Sequence, residues 1–273
     1  MMEHGAASQL RPVVRLPHYL GQTSRSDLWW AKPSIVFIAL SAFVAYSVWA
    51  VIQGGDYRWG PYLSPFYSPE LFGSTRSWFG SKPGWWPAWL LWSPAILVLW
   101  APAGLRLTCY YYRGAYYKAF WADPPSCAVG ESRTHYWGEN FFPLLIQNIH
   151  RYFVYLGLVY LVFLAHDCWE AFWFTNPTLG NVAFGVGIGT IVLLIDLVLL
   201  TGYTFGCYSL RHLVGGRLNR LSECPLRAWL YTNSYALNRR HSNWAWVSLC
   251  FVAFADFYVR MCAMGLIRDW RIF

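Results

Sequence analysis

PSIVFIALSAFVAYSVWAVI, from Pro33 to Ile52, is a run of apolar and small residues without a single charged side chain. A helix needs about 20 apolar residues to cross a bilayer, because lipid offers no partner to an exposed backbone amide. This stretch therefore predicts a membrane-spanning helix, and it decides the class of fold.

Four further stretches are similar in length and apolar content. Together the predicted spans cover about residues 33–52, 87–108, 144–165, 181–208 and 243–267. Pro94 and Pro102 are expected to kink the second span. We predict an all-α integral membrane protein with a five-transmembrane-helix bundle over residues 33–267.

The composition excludes several other classes of protein. Of 273 residues, 56% are hydrophobic and only 12% are charged, which is about half the usual share of charged residues in soluble domains. Such a chain is neither disordered nor an ordinary soluble enzyme. The aromatic content of 20% suits a chain that meets membrane–water interfaces repeatedly.

The lysines and arginines predict the orientation of the bundle. Most of them lie before the first span, between the second and third, and between the fourth and fifth. Cytoplasmic loops carry this excess, so the N-terminus is expected in the cytoplasm and the C-terminus outside. Residues 1–32 are predicted to form a cytoplasmic arm and residues 268–273 an outer tail. The net charge of +8 follows from this pattern, and no nucleic acid is expected as a partner.

This orientation places most histidines and cysteines near the cytoplasmic face: Cys109, Cys127, His135, His150, Cys207, His212, Cys224 and His241. Two imidazoles with two thiolates suit Zn²⁺ or a Rieske-type [2Fe–2S] centre, and two imidazoles alone suit haem b. Each residue can equally be a small buried thiol or an interfacial histidine, because no Cys-x-x-Cys spacing marks a metal motif.

Two aspartates lie inside predicted spans, where an unpaired carboxylate is costly. Asp256 precedes Arg260 by one helical turn, which predicts a structural ion pair. Asp196 has no such neighbour. The functional interpretation of these carboxylates is a proton path.

Aromatic and cationic residues crowd the predicted cytoplasmic face. An interfacial belt explains most of them. The alternative is a quinone pocket, which needs flat apolar walls and a few hydrogen-bond donors for the carbonyl oxygens. The candidate quinone-binding residues are Trp30, Tyr110, Arg151, His241, Trp244 and Trp246.

Several long blocks of sequence resemble one family. They are SPFYSPEL (Ser64–Leu71), LTCYYYRGAYYKAFW (Leu107–Trp121), PPSCAVGE (Pro124–Glu131), QNIHRYF (Gln147–Phe153), GCYSLRHLVGG (Gly206–Gly216) and WAWVSL (Trp244–Leu249). Over about residues 30–265 the chain resembles the single-chain, five-helix membrane anchor of type F succinate dehydrogenases, the respiratory complex II.

The resemblance implies partners and cofactors that composition does not reveal. The anchor would dock an FAD-carrying flavoprotein and an iron–sulfur subunit at the cytoplasmic face of a bacterial plasma membrane, surrounded by lipids. Electrons from succinate would reach menaquinone or ubiquinone through a Rieske-type [2Fe–2S] cluster in the anchor. The chain would thus be a subunit of an enzyme whose catalytic flavin lies on a partner.

The resemblance also implies a set of cluster ligands: Cys109, Cys127, His150 and His212. His241 is the alternate to His212, and Cys207 is the alternate to one thiolate. Arg151, next to His150, is expected to stabilise added negative charge by Coulomb attraction. Cys224 has no assigned role.

Two alternatives stay open from the sequence. The same complex can use haem b held by two of His150, His212 and His241. From a different class, a membrane transporter would use Asp196 and Asp256 on its pathway, although the halves of the chain lack the internal symmetry of many transporters.

Overall fold

The computed structural model describes residues 19–133, 141–142, 144–175, 180–216 and 219–273. Within these ranges the chain is mainly helical, with two short strand pairs. It divides into two compact units, one of Met1–Phe37 with Gly114–Trp137 and one of Ile38–Arg113 with Gly138–Phe273. Residues 1–18 of the predicted N-terminal arm lie outside the described residues.

The helices in this part of the chain are α1 (Ala31–Gln53), α2 (Pro94–Val98), α3 (Trp100–Leu107), α4 (Tyr110–Ala115), α5 (His150–Glu170), α6 (Ile188–Phe205), α7 (Tyr208–Gly215), α8 (Pro225–Asn238) and α9 (His241–Ala263). Antiparallel pairs are formed by β1 (Arg58–Trp59) with β2 (Tyr62–Leu63), and by β3 (Trp173–Thr175) with β4 (Val182–Phe184). A π-helical turn, Tyr116–Phe120, extends α4, and a 3₁₀ segment, Leu144–Ile149, precedes α5.

Four helices among the described residues are long and apolar enough to cross a membrane. They are α1, α6, α9, and α5 taken together with its 3₁₀ segment as Leu144–Glu170. They correspond to the first, fourth, fifth and third predicted spans, and they confirm a helical integral membrane bundle. The fourth span starts later than predicted because residues 182–184 pair with β3.

The second predicted span, 87–108, differs from a single kinked helix. It is helical only from Pro94, and it breaks into α2 and α3 around Leu99. Proline disfavours helical backbone in the residue before it, and Ser93 is extended with φ −149°. Pro102 has no N–H to donate to the carbonyl of Val98, where α2 ends. Pro94 thus sets the start of α2, and Pro102 sets the break between α2 and α3.

Glycines allow the helices of the second unit to approach closely. A Cβ on Gly104 of α3 would lie 2.0 Å from the Phe153 ring of α5, and one on Gly157 would lie 2.6 Å from Leu105. A Cβ on Gly202 of α6 would lie 2.6 Å from Trp244 of α9. Small residues at helix contacts are typical of membrane bundles, where van der Waals packing drives association.

The bundle has two distinct ends. At the loop end, α1, α5 and α9 finish and α2 and α6 begin, next to the loop of residues 54–93. At the cysteine end, α3 and α6 finish and α5 and α9 begin.

A buried ion pair joins α9 to the loop end. Arg260 donates to Asp256 at 3.3 Å and both side chains are fully buried, which confirms the pair predicted from their spacing. Tyr46 of α1 and Ser64 of the loop also donate to Asp256, and Arg260 donates to the Gly55 carbonyl at 2.8 Å. Because both charges are compensated and hydrogen-bonded, they can remain in the core.

The first unit is held together by backbone pairing between its two segments. Gly21 donates to the Gly130 carbonyl at 3.1 Å, and Gly130 donates back to Gln22 at 2.8 Å. Arg25 donates to the Ser126 hydroxyl and to the Cys127 carbonyl. These contacts order the described part of the predicted arm against residues 126–130.

Candidate functional site

Two cysteines and two histidines meet at the cysteine end. Cys109 follows α3, His150 opens α5, Cys207 separates α6 from α7, and His241 opens α9. The His150 Nε2 lies 3.0 Å from the Cys207 Sγ, and the His241 Nε2 lies 3.5 Å from the Cys109 Sγ. Four helix ends therefore deliver two thiol–imidazole pairs to one buried region.

Chain breaks explain why these side chains point inward. Thr108 caps α3 and the chain turns there before α4 begins. Gly206 ends α6, and its backbone packs so closely that a Cβ would lie 3.3 Å from His241 Nδ1. Cys109 and Cys207 are consequently only 2% and 4% exposed. Burial raises the pKa of the Cys109 thiol, so the isolated thiol favours its neutral form.

Thr108 orients the ring of His150. Its Oγ1 donates to the Gly104 carbonyl at 2.7 Å and lies 2.9 Å from His150 Nδ1. A hydroxyl has only one proton to donate, so Thr108 accepts from an Nδ1–H. This tautomer leaves the Nε2 lone pair facing Cys207, which is the state that an imidazole needs to ligate a metal.

Tyr203 covers His241. The two rings stack with centroids 5.1 Å apart and nearly parallel planes. Within the described part of the chain, His241 Nδ1 is buried without a hydrogen-bond partner, whereas the Tyr203 hydroxyl interacts with the Cys109 thiol. Buried polar atoms without partners are uncommon and call for an explanation such as a bound group.

Arg106 supplies a positive charge beside these rings. Its guanidinium lies 4.7 Å over the Tyr203 ring and donates to Ser248 at 2.9 Å and to the Ala245 carbonyl at 3.2 Å. It also donates to Tyr112 at 3.2 Å. Burial raises the pKa of Tyr112 to about 12 although the charge of Arg106 opposes the shift. Tyr112 therefore stays neutral.

The sequence did not single out Arg106, Thr108 or Tyr203. The available signal was a lone arginine inside an apolar predicted span, since charges at membrane depth usually face the bundle interior. Arg151, the cation expected from the sequence, is exposed. The positions of Arg106 and Arg151 in the sequence do not by themselves show which of the two points into the bundle.

The other two predicted ligands are exposed. Cys127 is exposed within the first unit, and His212 is an exposed residue of α7 that packs on the Tyr208 ring at 4.4 Å. The structure instead brings the two alternates, Cys207 and His241, to Cys109 and His150.

The predicted quinone-binding residues are divided between the two units. Trp30 belongs to the first unit and is half exposed. In the second unit, Trp246 donates to the Tyr111 hydroxyl at 3.0 Å, and Ser242 donates to the same oxygen at 2.7 Å. Trp244 packs on α6, and Tyr110 is exposed. Tyr111, which the sequence analysis did not select, thus receives two hydrogen bonds on its oxygen.

The chemistry of the donor set limits what it can hold. In the described ranges, no three His, Cys, Asp or Glu side chains converge on one point that could hold a single metal ion. Two thiols and two imidazoles are the donors of a Rieske-type [2Fe–2S] centre, in which each iron takes one pair of like ligands. The residues present fit that group by type and number.

Comparisons with known proteins agree with the resemblance in the sequence. A profile of the family described as "Actinobacterial succinate dehydrogenase subunit SdhC" matches residues 31–265. A chain of the solved structure "Mycobacterium smegmatis Sdh1 complex in the apo form" is 39% identical, with a TM-score of 0.80 over 92% of this chain and 94% of that one. No match was found among curated proteins.

Proposed function

Since the chain belongs to the actinobacterial family of succinate dehydrogenase subunit SdhC, we propose that it passes electrons from succinate to a quinone within the membrane. As a family member it is a subunit of an enzyme complex in a bacterial plasma membrane, with a flavoprotein and an iron–sulfur subunit as partners. The transporter alternative has no support from either comparison. The catalytic flavin belongs to a partner chain.

The observation that supports the proposal is the meeting of Cys109, His150, Cys207 and His241 at one end of the bundle. We assign these four side chains as ligands of a Rieske-type [2Fe–2S] cluster. Such a group, when bound, accepts and donates one electron at a time. Thr108 holds the His150 ring in the ligating tautomer, and Arg106 supplies positive charge near the site.

Tyr111 is the donor we propose for a quinone carbonyl. Its oxygen accepts hydrogen bonds from Ser242 and Trp246, so its own proton is directed away from both. Tyr111 is 36% exposed and packs edge-on against His241 at 6.4 Å. A flat ligand can therefore reach its hydroxyl close to the ligand set. Trp244 and Trp246 would form apolar walls, and Trp30, Tyr110 and Arg151 stay predicted contacts.

The orientation of the bundle belongs to the same proposal. The iron–sulfur partner must lie close to the cluster for electron transfer, so the cysteine end faces the cytoplasm. The arginines near this end, among them Arg211, Arg239 and Arg240, agree with that orientation. The arm 1–32, the membrane domain 33–267 and the outer tail 268–273 follow as proposed boundaries.

Low-temperature EPR of the purified, dithionite-reduced complex tests the ligand set. A Rieske-type centre has a lower average g value than an all-cysteine cluster, so its signal is separable from those of the partner. We expect His241→Ala and Cys207→Ser to abolish this signal. His212→Ala and Cys127→Ser are the matched controls and should keep it, because both side chains are exposed and neither belongs to the two thiol–imidazole pairs.

The flavin content of each preparation reports whether the complex still assembles. Loss of the signal in His212→Ala or Cys127→Ser, with retention in His241→Ala and Cys207→Ser, would contradict our assignment. A haem b centre would instead give strong α and Soret bands in a reduced-minus-oxidised optical spectrum.

A further inference from the structure

Asp196 is a buried carboxylate in the middle of the bundle. It lies eight residues after the start of α6, about 12 Å along the helix axis, and is 2% exposed. Within the described part of the chain its Oδ1 has no hydrogen-bond partner. A carboxylate is expensive to bury at membrane depth, and such residues often mark proton paths.

A small cavity lies beside Asp196 on the side of the loop end. Its volume is about 10 Å³, roughly the least that holds one water molecule. Asp196 of α6 and Asp167 of α5 both line it, with Leu63 and Leu164 among its apolar walls. A single water can therefore stand between the two carboxylates.

A second, larger cavity continues from Asp167 to the surface of the loop end. Its volume is about 100 Å³, and its lining includes His166, Glu170 and Arg76 as well as Asp167 and Leu63. His166 and Glu170 are exposed. Ser68 donates to one oxygen of Asp167, and the ring of His166 lies 3.3 Å from the other. Asp167 thus lines both cavities.

Toward the cysteine end, Asp196 shares a helix face with Tyr203, whose ring stacks on His241. Asp196 and Tyr203 lie seven residues apart on α6, two helical turns and therefore on the same face. Asp196 is close enough to Arg106 for their charges to interact. The other ionisable side chains whose charges reach Asp196 are Tyr160 and Cys168 of α5. Asp196 therefore lies at mid-depth in the bundle, between Asp167 and Arg106.

We propose that Asp167 and Asp196 form a proton route from the loop end of the bundle to the quinone-reducing centre at the cysteine end. The route begins in water at His166 and Glu170, passes the single-water cavity and reaches Asp196. This inference rests on the proposed quinone reduction. The proton route makes the medium at the loop end the source of the protons that quinone reduction consumes.

Succinate loses two electrons and two protons on the partner subunits to become fumarate, and the quinone gains two electrons and two protons to become quinol. The electrons enter from the cytoplasmic side, whereas the protons for the quinol come from the loop end. Each turnover therefore moves two protons from the outside to the cytoplasm, so a proton gradient would favour succinate oxidation.

The purified complex in proteoliposomes tests this direction. With the soluble subunits facing the external medium, the loop end faces the lumen, where a trapped pH-sensitive dye reports proton uptake. Succinate and a short-chain menaquinone analogue are added outside, and valinomycin with potassium removes the opposing potential. We expect the lumen to become alkaline by up to two protons per quinol, and a protonophore to abolish the change.

Asp196→Asn and Asp167→Asn should stop lumenal proton uptake and lower quinone reduction on the order of 100-fold, as removal of a proton-transferring group does. Succinate oxidation with a soluble artificial acceptor should not change, because those electrons leave from the partners. Asp196→Glu should restore uptake. Asp269→Asn is the matched control: Asp269 is buried at the loop end but accepts hydrogen bonds from Tyr62, Tyr258 and Gly189, and it lines neither cavity.

The outcomes separate this inference from the proposed function. Quinone reduction by the unaltered complex without any lumenal pH change would overturn the proton route alone. Unchanged lumenal uptake in both asparagine variants would overturn the assignment of these two carboxylates. A complex that oxidises succinate with the artificial acceptor but never reduces quinone would overturn the proposed function, and this inference with it.

Discussion

Thr108 positions His150, one of the proposed cluster ligands. Its hydroxyl bridges the Gly104 carbonyl and His150 Nδ1, so it sets the tautomer of a proposed ligand without touching the metal. Partners of this kind typically contribute 10- to 100-fold to metal affinity. The residue is buried, and its neighbour Cys109 is itself a proposed ligand.

Thr108→Val should lower cluster occupancy about 10- to 100-fold, because valine has nearly the same shape but cannot accept from Nδ1–H. Iron content and the EPR signal per flavin measure the effect. Thr108→Ser keeps the hydroxyl and should retain most of the occupancy. Equal occupancy in the valine variant and the native complex would show that the hydroxyl does not orient His150.

Residue identity marked the histidines and cysteines near the predicted cytoplasmic face only as candidates. The family resemblance implied Cys109 and His150 as ligands. The choice between His212 and His241 depends on which way each side chain leaves its helix, and Cys127 lies in an irregular segment of the first unit, whereas Cys207 separates α6 from α7. Arg106 and Arg151 illustrate the same point, because hydrogen bonds to Ala245 and Ser248 of α9 hold Arg106 inward.

At the scale of elements, Glu70 organises the loop of residues 54–93. Glu70 is 1% exposed. Its carboxylate accepts from Arg58 at 2.7 Å, from the Ser74 amide at 2.7 Å and from Tyr57 at 2.9 Å. Burial disfavours its charge, but the hydrogen bonds from Ser74 and Arg58 outweigh burial and hold the pKa of Glu70 below its ordinary value.

The order of this loop should therefore depend on pH. A carboxylate whose pKa is lower in the folded state adds stability above its unfolded pKa of about 4.5, and this stability is lost as the pH falls through the folded pKa. The protection of residues 54–93 against hydrogen exchange, taken relative to the intrinsic exchange rate at each pH, should fall in acid below that range. Glu70→Gln should loosen the loop at neutral pH and remove the acid dependence; an unchanged acid dependence in this variant would contradict the role of Glu70.

The positions of several helix ends differ from those predicted from the sequence. The breaks at Pro94 and Pro102 were foreseen as kinks, and proline chemistry explains why they became interruptions. The later start of α6 was not foreseen, because Asn181–Gly187 is apolar enough to continue a span. Pairing of residues 182–184 with β3, the strand just before them in the chain, removed them from the helix.

At the scale of the whole molecule, the directions of the helices bear on the number of crossings. Both α1 and α5 run toward the loop end, so the chain must return to the cysteine end between them. The pair α2–α3 does so: Ser93, just before α2, donates to Tyr67 near the loop end, and Thr108, just after α3, contacts His150. We infer that this short pair is the fifth crossing.

Five crossings place the C-terminus outside, whereas four would return it to the cytoplasm. Alkaline phosphatase fused after Phe273 should therefore be active, because the enzyme folds only outside the cytoplasm. The same fusion at Asn219, between α7 and α8, should be inactive and serves as the control. An inactive Phe273 fusion of normal abundance would contradict the fifth crossing.

Sequence alone determined the membrane class, the approximate spans, the family and the types of side chain available for chemistry. These properties depend on local composition and on contiguous blocks of residues, since a bilayer selects for apolar length wherever it occurs. Tertiary structure decided which cysteine and histidine of each possible pair meet, that Arg106 is the neighbouring cation, and that Asp167 and Asp196 share a cavity. These depend on side-chain direction and helix packing between residues more than 25 positions apart, which no local pattern encodes.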